Sequence, residues 1–112
     1  MSVDEPNRID MLSFDPATRE IVLTISDHLD WTNSTRHQEI LQKKLNAYLA
    51  FVESGELHEK YPEAGSGRIC LKIVLKFKPD KKGLLFLNRA QKVVESAGFR
   101  LEHHLFAASY NN

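Results

Sequence analysis

The 112-residue chain is long enough for one domain with its own core, because a chain of this size buries roughly two-thirds of its unfolded surface. Its 42% hydrophobic and 27% charged residues exclude a globally disordered chain. Fifteen basic and fifteen acidic residues cancel, which leaves no overall field to gather nucleic acid or anionic membrane.

Residues 1–8 are expected as a flexible lead. The opening MSVDEPNRID is polar and acidic, without the basic start and apolar run of a signal peptide, and no apolar run approaches the ~20 residues of a membrane helix. The lone Cys70 can form no internal disulfide, and together these features predict a cytoplasmic protein. Asn33-Ser34-Thr35 matches the glycosylation sequon, which a cytosolic chain would not use.

Ile9 to Phe14 reads as a first strand. Asp15-Pro16-Ala17-Thr18 is turn chemistry, with proline presetting φ for a reversal. Glu20 to Asp27, β-branched and apolar, is the second strand of a hairpin. After the connector His28 to Asn33, any of Thr32, Asn33 and Ser34 has the chemistry to cap a helix running to about Ser54. Leu41, Leu45, Tyr48, Leu49 and Val52 mark its buried stripe, with Gln38, Lys43, Lys44 and Asn46 facing out and Gly55 ending it. Glu56 to Pro62 adds one more turn, with Leu57 and Tyr61 over the core edge, and Glu63 to Arg68 is loop.

Ile69 to Lys78 alternates most cleanly of all. Ile69, Leu71, Ile73, Leu75 and Phe77 form a buried face, while Cys70, Lys72, Val74, Lys76 and Lys78 form a wetter one. Pro79 to Gly83 is a connector. Leu84 to Ala97 is a helix with Leu87, Ala90, Val94 and Ala97 on one stripe, Phe86 and Val93 beside it, and Gly98 ending it. Phe99 to Phe106 is the last strand, with His103 on the inward side, and residues 107–112 form a tail.

The order β-β-α-β-α-β predicts a two-layer α+β or α/β sandwich, a four-stranded sheet with two helices on one face. The helices would leave the sheet's other face open. Two regions then have the chemistry to bind. At the carboxyl ends of parallel strands, where ligands of open α/β sheets sit, fall Asp27, Asp30, Trp31, Lys81 and Lys82. On the open face fall Cys70, Lys72, Val74 and Lys76, a surface suited to a second copy of the chain or another protein. The lysines near Cys70 would lower its pKa. His37 and His58 lie on or near helix surfaces and carry no pattern.

The chain has no nucleophile–base pair, no metal-ligand spacing and no phosphate loop, so no catalytic residue, metal or cofactor is expected. The leading expectation is a non-enzymatic binding or regulatory module acting through a protein partner or self-association. The first alternative is a small-ligand or anion site, enzymatic or not, at the strand ends. The second is RNA on the open face, which the shortage of aromatic residues there disfavours.

The runs Asp27-His28-Leu29-Asp30-Trp31 and Tyr48-Leu49-Ala50-Phe51-Val52-Glu53-Ser54-Gly55-Glu56-Leu57 carry a resemblance, together with Tyr61-Pro62, Phe86-Leu87 and Ala97-Gly98. They resemble a family of short stand-alone bacterial proteins of unknown function, over about Ile9 to Phe106. The resemblance implies a one-domain bacterial cytosolic protein and supplies no catalytic residues.

Overall fold

The computed structural model describes residues 3–5, 10–60, 62 and 68–106. Strand β1 (Met11–Asp15) pairs antiparallel with β2 (Glu20–Asp27), Met11 opposite Thr24 and Asp15 opposite Glu20. The Asp15 carboxylate accepts from the Ala17 N–H at 3.0 Å and its carbonyl accepts from Arg19 N–H at 2.7 Å. Arg19 takes φ 60°, a conformation most side chains avoid, to close the reversal. Helix α1 (Ser34–Glu53) follows, then the short α2 (Glu56–Lys60), β3 (Ile69–Leu75), α3 (Lys81–Ser96) and β4 (Arg100–Leu105).

The sheet order is β1-β2-β3-β4, with β2, β3 and β4 parallel and Leu23, Leu71 and Leu101 abreast. The predicted two-layer frame holds, with α2 as a further short helix. Period-two alternation puts Ile21, Leu23 and Ile25, Ile69 to Leu75 at every second residue, and Leu101 on one side of the sheet. Leu41, Leu45, Tyr48 and Val52 of α1 and Leu87, Ala90 and Val94 of α3 close over them. Each such side chain contributes roughly 1.5–3 kcal/mol when fully buried, so this layer dominates the stability of the fold.

Several boundaries move, each for a local reason. The first strand starts at Met11, because Asp10 is occupied by side-chain bonds: its carboxylate accepts from Ser26 N–H at 3.0 Å and pairs with Lys44 at 3.0 Å. Ile9 lies outside the described residues, as do Tyr61 and 63–67. The lead is not loose at residues 3–5. Val3 is buried in the core and donates its N–H to Ser26 O at 3.0 Å. Lys44, expected outward, is 0% exposed; its ammonium donates to Glu5 O at 2.6 Å as well as to Asp10. Position 44 lies three residues past Leu41, on the buried stripe, and the start of the chain brings the oxygens that satisfy it.

Phe77 lies beyond the end of β3 and is 41% exposed, so it does not extend the buried face. Ala97 and Leu105 are likewise exposed. Helix α3 starts at Lys81 instead of Leu84, since Asp80 caps it by accepting from Gly83 N–H at 2.7 Å. Asn33 is the cap of α1, accepting from Arg36 N–H at 3.2 Å. No helix among the described residues is long and apolar enough to cross a membrane.

Candidate functional site

The connector after β2 and the connector after β3 meet at one edge of the sheet, where α1 and α3 begin. Asp27, last residue of β2, points inward and is buried. Its Oδ1 accepts from Leu29 N–H at 3.1 Å and its Oδ2 lies 2.5 Å from His37 Nε2. The other ring nitrogen, Nδ1, lies 2.9 Å from Asp30 O. A carbonyl only accepts, so Nδ1 carries a hydrogen, and the Nε2–Oδ2 contact shares another. Both nitrogens are therefore committed within the chain. Neither is free to take a proton from a substrate, so the pair lacks the exposed end that a general base requires.

His37 also stacks under Trp31, with ring centroids 3.7 Å apart and planes 23° from parallel. Trp31 donates its indole N–H to Phe77 O at 3.2 Å, which ties the first connector to the second. Asp30 points to solvent and accepts from Thr32 N–H at 3.0 Å, a bond that holds its carboxyl below the ordinary value.

Of the five residues predicted at this edge, the structure gathers three. Trp31, Lys81 and Lys82 border one open depression of about 590 Å³, together with Thr32, Asn33, Ser34 and Asp80. Asp27 and Asp30 are not among its walls. Lys81 and Lys82 belong to the first turn of α3, not to a turn before it. Two of the groups that would greet an anion there are already engaged: Asp80 Oδ1 accepts from Gly83 N–H and from the Ser34 hydroxyl at 3.0 Å. A carboxylate of the chain itself occupies the positive end of α3.

The open face divides into two halves. Toward the start of the parallel strands, Arg100 on β4 reaches across β3 to Glu20 on β2, with contacts of 2.7 and 3.1 Å, and also meets Glu102 at 3.1 Å. His104 closes on Glu102 at 2.6 Å. Arg100 holds the Glu20 carboxyl below its ordinary value, and His104 first, then Arg100, do the same for Glu102. This ionic lid passes over Cys70, the residue of β3 level with Arg100. Cys70 is 1% exposed, and burial pushes its thiol up to about 12. The lid thus leaves Cys70 almost no surface to offer a partner, and its pKa is raised where the nearby lysines were expected to lower it.

Toward the strands' carboxyl ends the face is different. Met11, Thr24, Ser26, Lys72, Val74, Lys76 and Phe106 line a groove of about 520 Å³, and Asp27 and His28 close its end. Met11 and Phe106 are 58% and 56% exposed. Lys72, Val74 and Lys76, three of the four residues expected here, thus share one accessible surface.

His37 escapes the pattern-based reading, and Asp80 enters it only as part of the connector before α3, although each left a signal. His37 stands four residues before Leu41 on the stripe of α1, and Asp80 is a capping residue directly before a helical run. Among the described residues no group of three or more His, Cys, Asp and Glu side chains is placed to hold a metal ion. The model of a family of unknown function (DUF6572) matches residues 1–107. No match was found among curated proteins or among solved structures.

Proposed function

The chain belongs to this family of unknown function, and on its geometry we propose that it is a protein-binding module whose open sheet face receives a segment of a partner. The supporting observation is the groove of Met11, Val74 and Phe106, apolar along its floor and flanked by Lys72 and Lys76. Neither lysine makes an ion pair among the described residues. A soluble surface with exposed apolar side chains inside a polar rim is the usual anatomy of a docking site.

The footprint and charge of the face favour a segment over a second copy. Strands ~4.8 Å apart and roughly 20 Å long make a four-stranded face of about 300–400 Å². A stable protein–protein interface takes ~800 Å² from each partner. A two-fold contact centred on the groove would also set Lys72 and Lys76 against the same two lysines of the copy. A bound segment needs only the groove.

Selection from a random-peptide library against the wild-type chain, with depletion on Val74→Glu, tests the reading. Enriched peptides should shift the amide resonances of Thr24, Ser26, Lys72 and Val74 in the full chain, and light scattering should give a monomer. The reading fails if no Val74-dependent peptide emerges, if the peptides shift the helices instead, or if Val74→Glu splits a wild-type dimer.

A further inference from the structure

We infer that the segment taken by this groove is acidic: an extended stretch with carboxylates at positions i and i+4 and an apolar side chain at i+2. The inference rests on the open face being a binding surface, and adds the chemistry of what binds.

Charge on the open face is unevenly settled. In the lid, Glu20, Glu102, Arg100 and His104 satisfy one another. In the groove, Lys72 and Lys76 make no ion pair among the described residues, and Glu102, level with Lys72 on β4, is taken up by Arg100 and His104. Thr24 and Ser26 beside them are hydroxyls, and Met11, Val74 and Phe106 are apolar. The one carboxylate in the groove wall, Asp27, is buried and engaged by His37 and the Leu29 N–H. Lys76 lies over the Phe77 ring, 5.6 Å from its centroid, which orients the ammonium without neutralising it.

Spacing fixes the pattern. Lys76 keeps the register of β3 past its end, because its N–H donates to Asp27 O at 2.9 Å. Lys72, Val74 and Lys76 therefore project on one side at a period of two. The two lysines stand about 13 Å apart at ~3.3 Å per residue, a distance that an extended peptide matches at i and i+4. Its i+2 side chain then falls over Val74, between Met11 and Phe106. A nucleic acid would also bring anions, but it needs aromatic platforms for its bases, and Phe106 is the one Phe, Tyr or Trp among the described residues of the groove wall, with His28 the only other ring, at its end.

Fluorescence anisotropy on the full chain tests this with a labelled peptide carrying Glu-Ala-Leu-Ala-Glu between alanines. A version with Gln for both Glu, a version with Lys for both, and a labelled oligo-uridine complete the set. The acidic peptide should bind and weaken with salt. The Gln version should bind about tenfold more weakly, the factor that two partly desolvated charge pairs supply together. The double variant Lys72→Glu/Lys76→Glu should reverse the preference toward the Lys peptide. Equal binding of the Glu and Gln versions, with Val74→Glu abolishing both, would sink the acidic inference and leave the docking face standing. So would failure of the acidic peptide where library selection yields Val74-dependent peptides without acids. Tighter binding of oligo-uridine than of any peptide would overturn the inference and the protein-binding reading together.

Discussion

Asp27 and His37 are both buried, and their contact is the tightest polar bond at the edge where the helices begin. Removing one partner of a buried pair leaves the other without compensation, at a cost of roughly 3–5 kcal/mol, whereas replacing both can be nearly neutral. His37→Leu should therefore destabilise the chain by about 3 kcal/mol in urea titrations. The double variant Asp27→Leu/His37→Leu should recover a substantial part of that loss, a coupling that additive behaviour would refute. The ionic lid gives a different signature. Glu20 and Glu102 have carboxyls held below their ordinary value of 4.5, so as pH falls below that value the unfolded chain takes up more protons than the folded one. Their contribution is complete above pH ~4.5 and disappears as pH drops through the lowered folded values. Arg100 is 54% exposed, which limits the contribution to about 1 kcal/mol after solvent screening. Arg100→Met should cost that amount at pH 6 and a steadily shrinking amount as pH falls below ~4.5. A constant difference across the range would mean that Arg100 acts through packing instead of charge.

At the scale of elements, alternation, β-branched composition and the 3.6 period identified the four strands and both long helices, because each turns an apolar face toward the core. The period says nothing about where a helix starts when its first turn is polar. Lys81-Lys82-Gly83 reads as a turn, and only the side chain of Asp80 makes it the opening of α3. Gly83 is there for room: a Cβ at this position would come within 2.7 Å of Trp31 Cζ3 and 2.9 Å of Cε3. In an unhindered helix Gly→Ala is stabilising by about 1 kcal/mol. Here the indole, held by His37 beneath it and by Phe77 O, must move, and overpacking of this kind costs typically 1–3 kcal/mol. Gly83→Ala should therefore lower stability and shift the fluorescence of Trp31, the chain's single tryptophan. A stabilised variant with unchanged emission would show that the ring has space to yield.

Across the whole molecule, what the sequence concealed is what joins residues far apart along it. Lys44 and Asp10 are 34 positions apart, and Arg100 and Glu20 are 80 apart. No periodicity links such pairs. Lys44 reads as a surface lysine until the start of the chain is laid over it. The same limit applies to the candidate sites: the alternation of β3 located Lys72, Val74 and Lys76, but the lid that hides Cys70 comes from β2 and β4. Residues 3–5 thus belong to the core assembly. Val3 fills an apolar position and Glu5 O accepts one hydrogen of a buried ammonium. Tyr48 stands beside them, its hydroxyl donating to Thr24 O at 3.2 Å and accepting from Asp10 N–H at 2.9 Å, with burial pushing the phenol up to about 12. Deleting residues 1–5 should cost about 3–5 kcal/mol, the sum of one buried aliphatic side chain and one hydrogen bond to a charge. Val3→Ala alone should cost less than half of that, because it leaves the Lys44–Glu5 bond in place. Urea titration followed by Trp31 fluorescence reads both, and equal losses would mean that the segment contributes only its apolar contact.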